Sequence, residues 1–155
     1  MTTALSIRAY TPDDFDAVRG LWNACGLTRP WNDPARDIDF CMETPTAALF
    51  VGEADDTLCA TVMAGHDGHR GWLYYLGVAP DHQKNGHGEA MVRHAENWLR
   101  GLGVHKVLLM IRPENEAARD FYHAAGYEDE PRIVMARRID GCDVMARIID
   151  KDSTS

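Results

Sequence analysis

The sequence predicts an α/β chain of the α+β kind, a mixed and mostly antiparallel sheet flanked by helices. Three observations predict it. Three β-rich apolar stretches, 47–54, 58–65 and 72–78, follow one another across short polar turns, as in a meander. Helical patterns with apolar residues three and four apart stand before the meander and after it. Between the last meander stretch and the next helix lies a glycine-bearing turn, from Tyr74 to Met91.

Each element has its local reason. Ile7 to Tyr10 reads as a first strand. Thr11-Pro12-Asp13-Asp14 starts a helix with a capping hydroxyl, a proline at the first position and acids in the first turn. Phe15, Val18, Leu21, Trp22 and Cys25 give that helix one apolar face, and Gly26 closes it. Two prolines then bracket Trp31, Asn32 and Asp33, which makes a loop. Asp33 or a neighbour caps a second short helix carrying Ile38, Phe40, Cys41 and Met42.

Asp55-Asp56 and the segment from His66 to Gly71 turn the meander. After the glycine turn, Ala90, Met91, His94, Ala95, Trp98, Leu99 and Leu102 keep helical spacing, ended by Gly101 and Gly103. His105 to Ile111 is a nearly continuous apolar run, suited to a strand buried on both faces near the sheet centre. Pro113-Glu114-Asn115 opens a further helix with Ala118, Phe121, Tyr122 and Ala125 inward and Gly126 past its end. Arg132 to Ile139 and Val144 to Ile149 read as a final hairpin around Asp140-Gly141.

The 155 residues suit one domain, taken as 1–150, with 151–155 a frayed tail. A net charge of −8 argues against nucleic-acid binding, which needs a basic face. No run approaches a membrane span and no basic, then apolar, leader opens the chain, so the reading is a cytoplasmic protein without a membrane partner. Cys25, Cys41, Cys59 and Cys142 are widely spaced and read as small buried thiols.

The chemistry concentrates at Gln83-Lys84-Asn85-Gly86-His87-Gly88. Glycines let backbone approach a ligand, and the helix that follows aims unpaired N–H groups and its positive dipole end at an anion. Position 91 is methionine and no Gly-Lys-Ser/Thr ending is present, so the dinucleotide and P-loop fingerprints both lack parts.

The order of elements narrows this. Val78-Ala79-Pro80, then Gln83-x-x-Gly86-x-Gly88, a helix, a strand, and Asn115-x-x-Ala118-x-x-Phe121-Tyr122-x-x-x-Gly126-Tyr127 together resemble the GCN5-related N-acetyltransferase (GNAT) superfamily. Within it, the stretches 27–34, 61–71 and 74–78 look closest to the bacterial YpeA-like subgroup. The resemblance implies an enzyme that moves acetyl from acetyl-CoA to an amine, by direct attack in a ternary complex, with a small-molecule or peptide acceptor.

It also implies roles. The backbone from Lys84 to Gly88 would hold the CoA pyrophosphate, with Gln83 in the same turn and Lys84 adding a charge. Leu76, Gly77 and Val78 would pair with the pantetheine arm, one of their amides polarising the thioester carbonyl. Asn115 would touch the arm, and Tyr122, seven residues on, would give a proton to the departing thiolate.

Some members use a glutamate five positions before the asparagine as base; here that position is Met110. Glu53, Asp33, His66, His69, Tyr74 and Tyr75 stay open as bases acting through water. The same methionine motivates a second reading, a non-catalytic acyl-CoA binding module. Trp31, Asp33 and Tyr74 are candidates to line the acceptor pocket, Asp33 suiting a cationic amine. His66, Asp67 and His69 read as a solvated turn rather than a metal site. The Met-bearing final strands offer an edge for a homodimer.

Overall fold

The computed structural model describes residues 4–141. The chain divides into two compact units, Met1–Arg112 and Pro113–Ser155.

The first unit holds a five-stranded sheet in sequence order: β1 (Ser6–Ala9), β2 (Ala47–Ala54), β3 (Thr57–His66), β4 (Gly71–Val78) and β5 (Val107–Leu108). All pairs are antiparallel except β4 with β5. The sheet is therefore mixed and mostly antiparallel, as the patterning predicts. Asp55 and Asp56 both take positive φ between β2 and β3, the tight-hairpin geometry that short acidic side chains tolerate.

A 3₁₀ turn (Pro12–Asp14) leads into α1 (Phe15–Ala24), and α2 (Pro34–Glu43) follows, capped by the Asp33 carboxylate on the Ala35 N–H at 3.0 Å. Both cover one face of the sheet, where Tyr10, Val18, Trp22, Ile38, Cys41, Leu49 and Val51 form a core. Ile38 and Cys41 point inward from α2, whereas Phe40 and Met42 are exposed. A helix of this length offers one stripe inward, and those two residues fall off it. The other face takes α3 (His87–Gly101), with Met91, Val92, Ala95 and Leu99 buried. The β2 alternation shows the layering: Leu49 and Val51 belong to the first core, while Phe50 meets His94 and Trp98 of α3 edge-on.

Two expectations are corrected. The run 105–111 gives only the two-residue β5, half-exposed and at the edge of the sheet among the described residues, not a central strand. Its pairing with β4 stops at Leu108, so the apolar residues beyond have no ladder to extend. The predicted strand from Arg132 to Ile139 does not form; Ile133, Val134, Met135 and Ile139 are exposed. β-propensity alone orders nothing without a face to pack against. Its expected partner, Val144 to Ile149, lies outside the described residues, as do Cys142 and the tail.

The second unit contains α4 (Glu116–Ala124), capped by the Asn115 side chain, which accepts from the Ala118 N–H at 3.1 Å. Arg119 and His123 both reach Asp129 on this unit's surface. No helix of the described residues is long and apolar enough to cross a membrane.

Candidate active site

Strand β4 is broken in the middle. It pairs with β5 only at Gly71 and Trp72, so from Leu73 onward the edge facing β5 carries no strand among the described residues. On the other side the register with β3 jumps from Met63↔Tyr74 to Thr61↔Gly77, which leaves Tyr75 and Leu76 without cross-strand partners. This is a bulge, and its residue Tyr75 has φ of 52°. The bulge also turns the strand over. A Cβ on Gly71 would meet Leu99 of α3, yet one on Gly77 would meet Leu27 and Cys25 at the end of α1. Residues six apart in a regular strand face the same way; here they face opposite layers.

Tyr75 is held from three directions. Its ring stacks on Trp22 at 3.8 Å with 7° between planes, its hydroxyl donates to Asp37 at 2.5 Å, and its carbonyl accepts from the Thr61 hydroxyl at 2.9 Å. Trp22 Nε1 in turn donates to Thr61 Oγ1 at 2.9 Å. Burial, followed by the Asp37 hydrogen bond and charge, pushes the Tyr75 phenol well up. Tyr75 is among the bases the sequence leaves open, whereas Thr61 and Asp37 are not candidates there, because they carry only the pattern of strand and helix residues.

Beyond Val78 a 3₁₀ turn (Pro80–His82) leads to the glycine turn. The Val78 carbonyl accepts from the Cys25 thiol at 3.3 Å and from the Gln83 side chain at 3.0 Å, so Gln83 ties the turn to the strand. Lys84 and Gly86 both adopt positive φ, 67° and 79°. Such left-handed residues directly before a helix bend successive N–H groups into one concavity, the shape of an anion nest. Gly86 caps α3, and a Cβ there would meet nothing within 4 Å. Lys84 and Asn85 are exposed, His87 is buried and Gly88 half-buried.

Asn115 and Tyr122 lie in the second unit. Asn115 is the α4 cap; Tyr122 is buried among Phe121 and Tyr127, which meet its ring edge-on at 5.0 and 5.5 Å. Burial pushes its phenol up to about 12.

A profile of the acetyltransferase (GNAT) family matches residues 15–127. The chain belongs to the GNAT family of acetyltransferases. An acetyltransferase of Yersinia pestis (strain Pestoides F) is 38% identical over 135 residues, covering 87% of this chain and 96% of the relative. One from Pectobacterium atrosepticum has the same identity and coverage. Among solved structures, the aminoglycoside N-acetyltransferase AAC(6')-Iy is similar in fold. Its complex with CoA has a TM-score of 0.77 at 18% identity, over 90% of this chain and 97% of that one. Its complex with a bisubstrate analogue of CoA gives 0.76 at 18% identity, over 88% and 99%.

The remaining candidates of this GNAT chain are placed as follows. Glu53 pairs with Arg8 at 2.6 Å across β1 and β2, and β3 lies between that strand pair and β4. His66 ends β3 opposite Gly71 and His69 sits in the turn that precedes β4, about 20 Å of strand from Val78. In that turn the Asp67 carboxylate accepts from the N–H groups of His69 and Arg70 and from Trp72, which holds its pKa at about 2. Among the described residues no group of three such side chains could hold a metal. Tyr74 is exposed and stacks beside Trp72. Trp31 lies under the Arg112 guanidinium at 5.5 Å, and Asp33 faces its own helix. Met110 is 51% exposed.

Proposed function

We propose that the protein transfers acetyl from acetyl-CoA to the nitrogen of an amine by direct attack, in the cytoplasm. The observation that carries this is the pair Tyr75 and Leu76, left without strand partners on either side among the described residues, on the strand that leads through a 3₁₀ turn to the positive-φ turn opening a 15-residue helix. Family membership supports the identity of the ligand, and the residues present fit it: an open Gly86 for the phosphates and, among the described residues, an edge of β4 without a strand beyond Trp72 for an extended amide-bearing arm.

Acetyl-CoA, when bound, supplies the thioester carbonyl as electrophile. The N–H groups from Lys84 to Gly88 hold its pyrophosphate. The edge from Leu76 to Val78 orients the arm, and an amide there stabilises the charge that develops on the carbonyl oxygen; losing one such donor costs roughly 100- to 1000-fold in rate. Asn115 contributes to the arm, and Tyr122 keeps its proton at neutral pH, ready for the departing sulfur. Direct attack is supported by the thiols. Burial raises Cys25 and Cys59 and takes Cys41 to about 11, so none of these three is an activated nucleophile. The acceptor is an amine on a small molecule or peptide, with Trp31, Asp33 and Tyr74 as the candidates to line its pocket.

Calorimetry with acetyl-CoA and release of free CoA thiol over a panel of polyamines, aminoglycosides, amino acids and peptides test this. Binding with turnover on at least one amine is expected. Absence of binding removes the reading. Binding without turnover on any amine leaves the non-catalytic module, which the methionine at position 110 favours.

A further inference from the structure

We propose that Thr61 is a positioning residue of the acetyl-transfer site, whose hydroxyl aims the Leu76 N–H at the thioester carbonyl. The inference rests on the acetyl-CoA reading above. Thr61 is fully buried on β3 and its hydroxyl has two partners, Trp22 Nε1 and the Tyr75 carbonyl, both at 2.9 Å. An indole N–H can only donate, so the hydroxyl accepts from Trp22 and its own proton goes to Tyr75. The direction of the chain is thereby set by chemistry alone.

The Tyr75 carbonyl and the Leu76 N–H belong to one planar peptide, and no cis peptide bond is present. In a trans peptide the two groups point opposite ways. Fixing the carbonyl toward β3 therefore turns the Leu76 N–H away from β3, toward the side where β4 has lost its pairing with β5. A positive φ is unfavourable for an aromatic residue and persists only where its surroundings over-determine it. Here the Trp22 stack and the Asp37 bond hold the Tyr75 side chain, and the Thr61 hydroxyl holds the peptide through the Tyr75 carbonyl.

The test is the carbonyl stretch of carbonyl-¹³C acetyl-CoA bound to the full chain, read by isotope-edited infrared spectroscopy beside calorimetry. Wild type should show the stretch moved to lower frequency. Thr61→Val, similar in shape without the hydroxyl, should lose more than half of that downshift while its Kd for acetyl-CoA changes less than about threefold. Thr61→Ser should restore it. Should Thr61→Val fail to fold by circular dichroism, Thr61→Cys replaces it, since a thiol donates only weakly to the Tyr75 carbonyl; it too should lose part of the downshift. A wild type that binds with no downshift, a variant that keeps the full downshift, or a serine that fails to restore it overturns the inference. A wild type that does not bind acetyl-CoA overturns the reading beneath it.

Discussion

The Tyr75 hydroxyl donates to an Asp37 carboxylate oxygen at 2.5 Å, tying the bulge of β4 to the helix α2. Because burial and that carboxylate both raise the phenol, it stays protonated throughout the physiological range and the bond persists. Tyr75→Phe keeps the ring on Trp22 and removes only the bond. The expected cost is about 1 kcal/mol, the net worth of one hydrogen bond, since half-buried Asp37 regains water. Asp37→Ala should cost a similar amount, and the double variant less than the sum. Urea unfolding of the four proteins checks the coupling, and strict additivity would show the two groups to be energetically independent.

The Arg8–Asp14 ion pair contributes to acid stability. The Asp14 carboxylate accepts from Arg8 at 2.7 and 2.8 Å and from the Thr11 N–H at 2.8 Å, so chiefly the Arg8 guanidinium holds its pKa at about 2. A carboxyl lowered on folding stabilises the fold above its unfolded value and loses that contribution as pH falls through the folded value. The wild type should therefore lose about 1–2 kcal/mol between pH 4 and pH 2 that Asp14→Asn does not lose, a range set low because Arg8 is partly exposed. Denaturant titrations at pH 6, 4 and 2.5 measure the difference.

At the glycine turn, charge and shape can be separated. Gly86 has φ of 79°, so any side chain there costs about 1 kcal/mol of backbone strain, while its Cβ meets nothing within 4 Å. Gly86→Gln and Gly86→Glu share that strain and nearly the same volume. If the N–H groups hold a pyrophosphate, the glutamate should weaken CoA binding by about tenfold or more beyond the glutamine, and added salt should narrow the gap. Equal affinities would place the phosphates elsewhere.

Much of this molecule is legible in local sequence, and what is not has a common cause. The proline-led helix starts, the Asp55-Asp56 hairpin and the glycine turn depend on residues near one another in the chain, and all appear as read. The bulge does not. Trp72 through Val78 reads as one apolar strand, and the extra residue shows only when Gly71 and Gly77 are found facing opposite helices. Thr61 and Asp37 escape notice for the same reason, since their partners are 14 and 38 residues away. The misread strands, 105–111 and 132–139, are apolar runs whose order would depend on neighbours that residue type alone does not supply.

Tyr122 carries the last prediction. Its ring is buried between Phe121 and Tyr127, and burial alone raises its phenol to about 12. Such a group holds its proton up to strongly alkaline pH, which suits a donor to a departing thiolate and excludes it as the base at neutral pH. Tyr122→Phe keeps the aromatic packing and removes the proton. Turnover should fall roughly 10- to 100-fold while the Kd for acetyl-CoA stays within about threefold. Replacing the CoA leaving group by an acetyl thioester of a more acidic thiol should shrink the deficit, because a thiolate that leaves readily needs no proton. A variant that turns over as fast as wild type, or one equally slow with every leaving group, would remove Tyr122 from the proton transfer and leave it a packing residue of α4.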